Sequence, residues 1–507
     1  MNFQFKEKIM TFNQVIIVLM LTPFVLPWSR CSFLVYSQEW SWRGGDESAD
    51  QLAKQNQPGG RSGSSVWGQS QNGNVLIFGG SGFSDLSTDK PHLLNDVWLF
   101  SLKTSNFELH HAGTLTSIST TDTLQQIVPE GRKHAAMCGF KDVVYVFGGI
   151  STSRDSLSDL WSYNLNLKTW SKLLDNISHN SSAPSARGHS AVWCYKSSMY
   201  IFGGINDKTV FNDMWSFNLL TMEWKELYRM THSSETVETD GNTYPMMRNG
   251  AATWVSDDTF YMFGGNTYSE FSYVLQQNIG LTSDLWKYNP GSNTWQLVHG
   301  PALPGQHSVL NDIGTTVSSN IPGSRMGAAS WVDSKGHLWL FGGAGLDVSP
   351  ITSYHSTKLL ADVWRFHIGA QGWAFMGGSK VGDIVGMYKS LNEQKHTSYP
   401  GARTEVMAWK GLHDVFYVLG GLGHDGKGYD GHLNDLWSVD CSNTVSMEHL
   451  ITPQSLFLFV GLGTTTLFLV MAIMLCTRRR WDGTGTDSKV LQGHNYNLLK
   501  NGDIDEI

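Results

Sequence analysis

Arginine recurs six times in one setting, at Arg61, Arg132, Arg187, Arg248, Arg325 and Arg403. Each is followed by an Asp-x-Trp step, at Asp96/Trp98, Asp159/Trp161, Asp213/Trp215, Asp284/Trp286, Asp362/Trp364 and Asp435/Trp437. A guanidinium presents a planar fork of donors that fits a carboxylate bidentately. The pattern therefore allows two uses. Six such groups set around a ring could hold an acidic ligand. Alternatively, each could pair with a neighbouring carbonyl or with the aspartate of its own repeat and lock the fold. What every repeat carries, every repeat needs for packing, so the second use is the favoured one.

Other residue types capable of chemistry are sparse. Between residues 38 and 454 the cysteines are Cys138, Cys194 and Cys441, far too few for a disulfide-built scaffold. His110-His111 and the His424…His432 segment match no metal spacing with a mechanism behind it, and they read as exposed loop histidines. Nothing pairs a nucleophile with a base. Residues 38–454 hold 28 Lys+Arg against 38 Asp+Glu, the wrong sign for neutralising phosphates, so a nucleic-acid role is excluded.

The elements that must position the arginines are short strands. Each arginine precedes a Gly-Gly pair by 16 to 18 residues, and each pair follows an apolar run reading VLIF, VYVF, MYIF, FYMF, LWLF or FYVL. Such β-branched and aromatic runs are strands. Nine residues beyond each of the first five Asp-x-Trp tryptophans stands Phe107, Trp170, Trp224, Trp295 or Trp373. Six residues after five of the arginines stand Trp67, Trp193, Trp254, Trp331 and Trp409, with Cys138 at that place in the second repeat. The sixth repeat lacks its last aromatic, and the missing strand lies at the other end of the chain. There, Trp40-x-x-x-Gly44 copies the spacing of Trp373-x-x-x-Gly377. With Trp40 counted, 16 of the 20 tryptophans fall on three repeat positions, so chance is excluded. A strand borrowed from the N-terminus closes a ring, whereas a solenoid leaves its ends open.

The order Arg, apolar strand, Gly-Gly, Asp-x-Trp, Trp resembles the kelch motif, and it spans residues 38–440, about four-fifths of the chain. The long Gly-rich repeats, such as Pro322-Gly-Ser-Arg-Met-Gly-Ala-Ala-Ser-Trp331, are similar to the attractin and galactose-oxidase-like branch of that family. The resemblance implies an all-β, six-bladed propeller with one four-stranded sheet per repeat. It also implies that arginines at the start of the inner strand hold acidic peptides in some members. Galactose-oxidase-like copper chemistry would need a cysteine joined to a tyrosine beside histidine ligands. Cys138 and Cys194 lack that setting, so no enzyme activity and no cofactor are expected; the competing reading is a secretory-pathway propeller enzyme of galactose-oxidase-like type acting on carbohydrate.

Propeller geometry also orders the loops. In an antiparallel sheet the first–second and third–fourth turns share one face, and the second–third and blade-to-blade connections share the other. Third–fourth turns are constant in length. Second–third connections reach 21 residues between Gly-Gly and Trp in repeats four and five, and blade-to-blade connections reach 30 from aromatic to arginine there. All the length variation falls on one face, the expected place for binding. Tyr268, Phe271, Tyr273 and Tyr354 on those loops are the candidate interface anchors. Cys138 and Cys194 lie on successive inner strands at opposite parity. Sheets packed about 10 Å apart argue against a bridge, although the pairing of these two and of Cys441 stays open.

The ends set the compartment. Residues 1–37 read as a signal peptide: Lys6 and Lys8, an apolar run from Val15 to Leu26, and Val35-Tyr36-Ser37 at the cut, with an earlier cut after Cys31 as the competitor. Residues 441–455 form a linker, and the uncharged residues 456–476 are long enough to span a bilayer. Arg478-Arg479-Arg480 follow and place residues 477–507 inside the cell. Asn176 and Asn180 open N-glycosylation sequons. Tyr496 and Leu499 frame a Tyr-x-x-Leu signal of the kind clathrin adaptors read, and Cys476 is a palmitoylation candidate. The expectation is a single-pass type I membrane protein of the plasma membrane or endosomes. Its propeller is expected to bind an extracellular protein or glycan, with the loop face turned away from the cell.

Overall fold

The computed structural model describes residues 39–442, apart from 69–72, 85–89, 114–126, 153–154, 176–181, 208, 230–237, 240–241, 268–279, 302, 350–356 and 389–397. Within this range the repeats fold into six antiparallel sheets. Blade one holds Arg61–Ser62 with Ser65–Trp67, then Asn74–Gly82, His92–Ser101 and Asn106–His111. Blade two holds Ala136–Phe140, Val143–Ile150, Ser156–Asn164 and Thr169–Leu174. Ala191–Tyr195, Ser198–Phe202, Met214–Asn218 and Glu223–Tyr228 make blade three. Blade four holds Ala252–Ser256, Thr259–Phe263, Leu285–Asn289 and Thr294–His299. Arg325–Met326 with Ala329–Val332, then Leu338–Gly345, Lys358–His367 and Gly372–Gly378 make blade five. Blade six takes Arg403–Thr404 with Met407–Lys410, Val415–His424, Asp430–Asp440 and, as its outer strand, Trp40–Gly44.

The borrowed strand pairs in the register the tryptophan spacing requires. Trp40 stands opposite Val439 and Gly44 opposite Leu436, as Trp373 stands opposite Phe366 and Gly377 opposite Val363 in blade five. The inner strands of successive blades touch in a closed circle, the sixth against the first. The protein is a six-bladed β-propeller.

The core is not one mass but six seams, one between each pair of neighbouring blades. A strand's alternate residues serve different seams, because successive side chains point to opposite faces. Val75 and Ile77 pack with Met407, Trp409 and Leu436 of blade six, while Leu76 and Phe78 pack with Met137, Val146 and Trp161 of blade two. Strands buried on both faces have no polar alternation, which is why the sequence shows continuous apolar runs. Each seam carries buried tryptophan, and truncating one such ring typically costs about 3–5 kcal/mol.

Two expectations need correction. The Gly-Gly pairs do not simply end the second strand. In blades one, two, five and six that strand runs through the pair as a bulge, with register shifts at Phe78/Gly80, Phe147/Gly149, Phe341/Gly343 and Leu419/Gly421. A Cβ on Gly148 would lie 2.6 Å from the Arg187 carbonyl oxygen of the next blade, and Gly149 donates to that same oxygen at 2.9 Å. Only glycine, here at φ +63° and +106°, lets the two backbones meet. Second, Cys138 and Cys194 form a disulfide between the inner strands of blades two and three, with Cα atoms 5.5 Å apart. The sheet spacing that argued against it applies to face-packed sheets, whereas propeller blades converge toward the axis. Cys441 is buried in the seam between blades five and six.

Among the described residues no helix is long and apolar enough to cross a membrane. Residues 1–37, 443–455, 456–476 and 477–507 lie outside them, and with them the segments expected to be a signal peptide and a membrane span, and Cys476, Tyr496 and Leu499.

Candidate functional site

The six arginines sit where the inner strands begin, and all are buried, with relative exposures of 0–1%. Each pairs bidentately with the aspartate of its own repeat, at N–O distances of 2.5 to 2.9 Å. Each also donates through Nη1 to the carbonyl of the first glycine of its Gly-Gly pair, at 2.9 to 3.4 Å. Nε donates to the carbonyl two residues earlier. The same aspartate accepts the indole N–H of the tryptophan two residues on, at 2.5 to 2.8 Å. Asp-x-Trp has that spacing because residues i and i+2 of a strand share a face. With four donor contacts made inside the blade, each guanidinium spends its hydrogen-bonding fork within its own repeat and is buried there. The geometry is that of packing.

Two residues beyond each arginine comes a position the sequence reading passed over. It is occupied by Gly63, His134, His189, Gly250, Gly327 and Glu405, and all six have positive φ, between 55° and 68°. Their backbones form a closed circle of hydrogen bonds. His134 N–H donates to Gly63, His189 to His134, Gly250 to His189, Gly327 to Gly250, Glu405 to Gly327 and Gly63 to Glu405, at 2.8 to 3.1 Å. A circle with one member per blade surrounds the propeller axis.

The three members with side chains converge. Ligand atoms of His134, His189 and Glu405 all lie within 4.8 Å of one another. His134 Nε2 is 3.3 Å from Glu405 Oε1, and the two imidazoles stack with centroids 3.9 Å apart. Ser62 Oγ donates to Glu405 Oε2 at 3.0 Å. Burial, then the neighbouring charge of His134, drives His189 down to about 3, so it is neutral at ordinary pH. Burial pushes the Glu405 carboxyl up, but His134, by charge and hydrogen bond, and Lys133 outweigh it and hold it well below the usual range. The signal in the sequence was the His, His and Glu at a fixed offset from three of the arginines.

The histidines singled out earlier are not exposed loop residues. His110 and His111 lie on the outer strand of blade one, His424 and His432 on paired strands of blade six, and all four are half-buried. His110 Nδ1 meets the Tyr163 hydroxyl at 3.1 Å, His424 Nδ1 meets Asp430, and His432 Nδ1 lies 3.6 Å from Asp50. Strand pairing continues past the Gly-Gly bulge, and that carries the two blade-six histidines out of the loop. Tyr268, Phe271, Tyr273, Tyr354, Asn176 and Asn180 lie outside the described residues.

The antiparallel pairing puts the long second–third and blade-to-blade connections on one face and the tight turns on the other. Around blades four to six the long-loop face exposes Leu303 (70%), Val309 (49%), Val381 (48%), Val385 (44%) and Tyr429 (68%).

Six Arg–Asp–Trp knots around a ring closed by the N-terminal strand define a kelch-type β-propeller. The chain belongs to the kelch-repeat family: the model for the KLHDC2/KLHL20/DRC7 Kelch-repeats domain matches residues 37–235 and 175–310. The chain is 28% identical to rat Kelch domain-containing protein 10 over 170 residues, which is 32% of this chain and 37% of that protein. It is 27% identical to human Multiple epidermal growth factor-like domains protein 8 over 96 residues, 18% of this chain and 3% of that one. It is 26% identical to the fruit-fly (Drosophila melanogaster) Leucine-zipper-like transcriptional regulator 1 homolog over 180 residues, 34% of this chain and 17% of that one. The chain thus spans well under half the length of these relatives.

Proposed function

We propose that this protein is a single-pass type I membrane protein whose kelch propeller, of the attractin-like layout, binds an extracellular protein or glycan. It acts by binding rather than by turnover. Kelch propellers are generally protein-interaction modules. The observation that carries the reading is the collection of every long connection on one face of the ring. The Cys138–Cys194 disulfide supports an oxidising compartment. Trp40 pairs with Val439, so the strand that enters the ring and the one that leaves it at Asp440 meet at the tight-turn face. An anchor beyond Asp440 then leaves the loop face free to meet a partner. The tail's Tyr496 and Leu499 serve trafficking through clathrin adaptors, and Asn176 and Asn180 carry N-glycans.

The test displays the intact chain on cells and identifies surface partners by proximity labelling. Aspartate at Val381, Val385 and Tyr429, or alanine at Tyr268, Phe271, Tyr273 and Tyr354, should reduce partner recovery at least tenfold. The same changes at the turn residues Leu167 and Leu220, exposed by 70% and 64%, should not. Loss through the turn set alone overturns the assignment of the face. A propeller protected from a glycosidase added outside the cell, with none in a secretory lumen, overturns the topology.

A further inference from the structure

We propose that His134, His189 and Glu405 form a binding site for a zinc-class divalent cation on the propeller axis. Two imidazoles and one carboxylate are the donor set of open transition-metal sites, three protein ligands with one or more places left for water or a ligand. The fit is geometric. Tetrahedral ligands about 2.0–2.1 Å from zinc lie about 3.3 Å from each other, and His134 Nε2 and Glu405 Oε1 are already 3.3 Å apart. The third ligand is close, all three atoms falling within 4.8 Å. To complete the set, His189 tilts out of its stack on His134 by rotation about its side-chain bonds, the backbone staying in place.

The surroundings are built to hold such a group. All three ligands hang from the hydrogen-bonded circle, whose positive-φ backbone fixes their Cα positions. The other three members are glycine, and that leaves the axis to the ligands. A Cβ on Gly63 would stand 2.6 Å from His134 Cε1, and one on Gly250 3.1 Å from His189 Cε1. Ser62 Oγ holds the carboxylate's second oxygen, the orienting hydrogen bond that ligating carboxylates receive. Lys133 opposes a cation there, close enough for its charge to act on both His189 and Glu405. No Arg–Asp–Trp knot uses these side chains, and their identities differ from blade to blade, so they are not part of the shared packing.

The probe is zinc chloride alone, titrated calorimetrically into the full-length chain after chelator treatment, with magnesium chloride as the hard-cation control. One equivalent of zinc should bind saturably and magnesium should not. His189→Gln and Glu405→Gln should each weaken zinc binding at least about a hundredfold, and Ser62→Ala by roughly tenfold, the usual effect of losing an orienting partner. Lys133→Gln should tighten it. Thermal unfolding without metal shows whether each variant remains folded. If a variant does not fold, cobalt(II) added to the unaltered chain decides: d–d absorption typical of a four- or five-coordinate nitrogen and oxygen site is required. No saturable zinc binding, an unchanged affinity in folded His189→Gln and Glu405→Gln chains, or a six-coordinate aquo-cobalt spectrum would overturn the proposal.

Discussion

Blade four offers the cleanest measurement of what one arginine contributes, because Arg248 and Asp284 are both wholly buried as side chains. Replacing Arg248 with methionine removes the two charge-assisted bonds to Asp284, at 2.7 and 2.8 Å. It also strips a donor from the carbonyls of Met246 and Gly264 and from Thr282 Oγ1. The Asp284 carboxylate is left in the interior with the Trp286 indole N–H as its remaining side-chain donor. Breaking a buried pair by deleting one partner costs about 3–5 kcal/mol. Unfolding entropy of about 2 cal/mol/K per residue, over a propeller of roughly 400 residues, turns 4 kcal/mol into a fall in Tm of about 5 °C. Arg248→Lys keeps the charge but not the fork, so it should recover less than half of that. Arg248→Met with Asp284→Leu should cost less than the sum of the two single changes, since neither charge is then stranded. The assay is urea and thermal unfolding of the unaltered chain and the four variants (Arg248→Met, Arg248→Lys, Asp284→Leu and the double change), with partner binding measured on the same samples. A drop under about 1 °C for Arg248→Met would refute the packing argument. Lost binding at unchanged stability would restore the arginines as ligand contacts.

Two further outcomes follow from the geometry. Cys138→Ala with Cys194→Ala should destabilise the propeller by about 2–4 kcal/mol, a fall of roughly 2–5 °C read by thermal unfolding, and added reductant should then leave the midpoint unmoved. In blade five, Asp333 and Asp347 are each held near pH 2: burial raises both, but bonds from His337 and Trp339 outweigh it at Asp333, and bonds from Gly382, Ser349 and Lys358 do so at Asp347. Depressed carboxylates stabilise the fold above their unfolded value near 4, and that contribution is lost as pH falls through about 2. Urea midpoints should therefore decline between pH 4 and 2, and Asp333→Asn with Asp347→Asn should flatten the decline.

The ring was legible because its knots repeat in kind as well as in place. Arg248, Gly264, Asp284 and Trp286 have the same chemistry in every blade, and their spacing alone pointed to Trp40 as the missing strand. The axial cluster was not legible because its shared property is conformational. Gly63 and Glu405 have no side-chain chemistry in common, only a positive φ and a place in a hydrogen-bonded circle. The bridge between Cys138 and Cys194 was misjudged by a rule for flat stacked sheets, which fails where blades converge. His432 was assigned to a loop because a Gly-Gly pair looks like a strand end, yet the ladder resumes beyond the bulge.

The borrowed outer strand also sets a clock. Trp40 is made about 400 residues ahead of its partner Val439. At roughly 5–20 residues per second, synthesis of the rest takes about 20–80 s. Throughout that time Trp40 and Trp42 have no sheet to join, and five finished blades form an open arc with a bare seam at each end. Ring closure is thus the last folding event and the one with the longest loop to close. A nascent chain stalled short of residue 430 would present two unpaired apolar edges, the state most open to chaperones and to pairing with another unfinished copy.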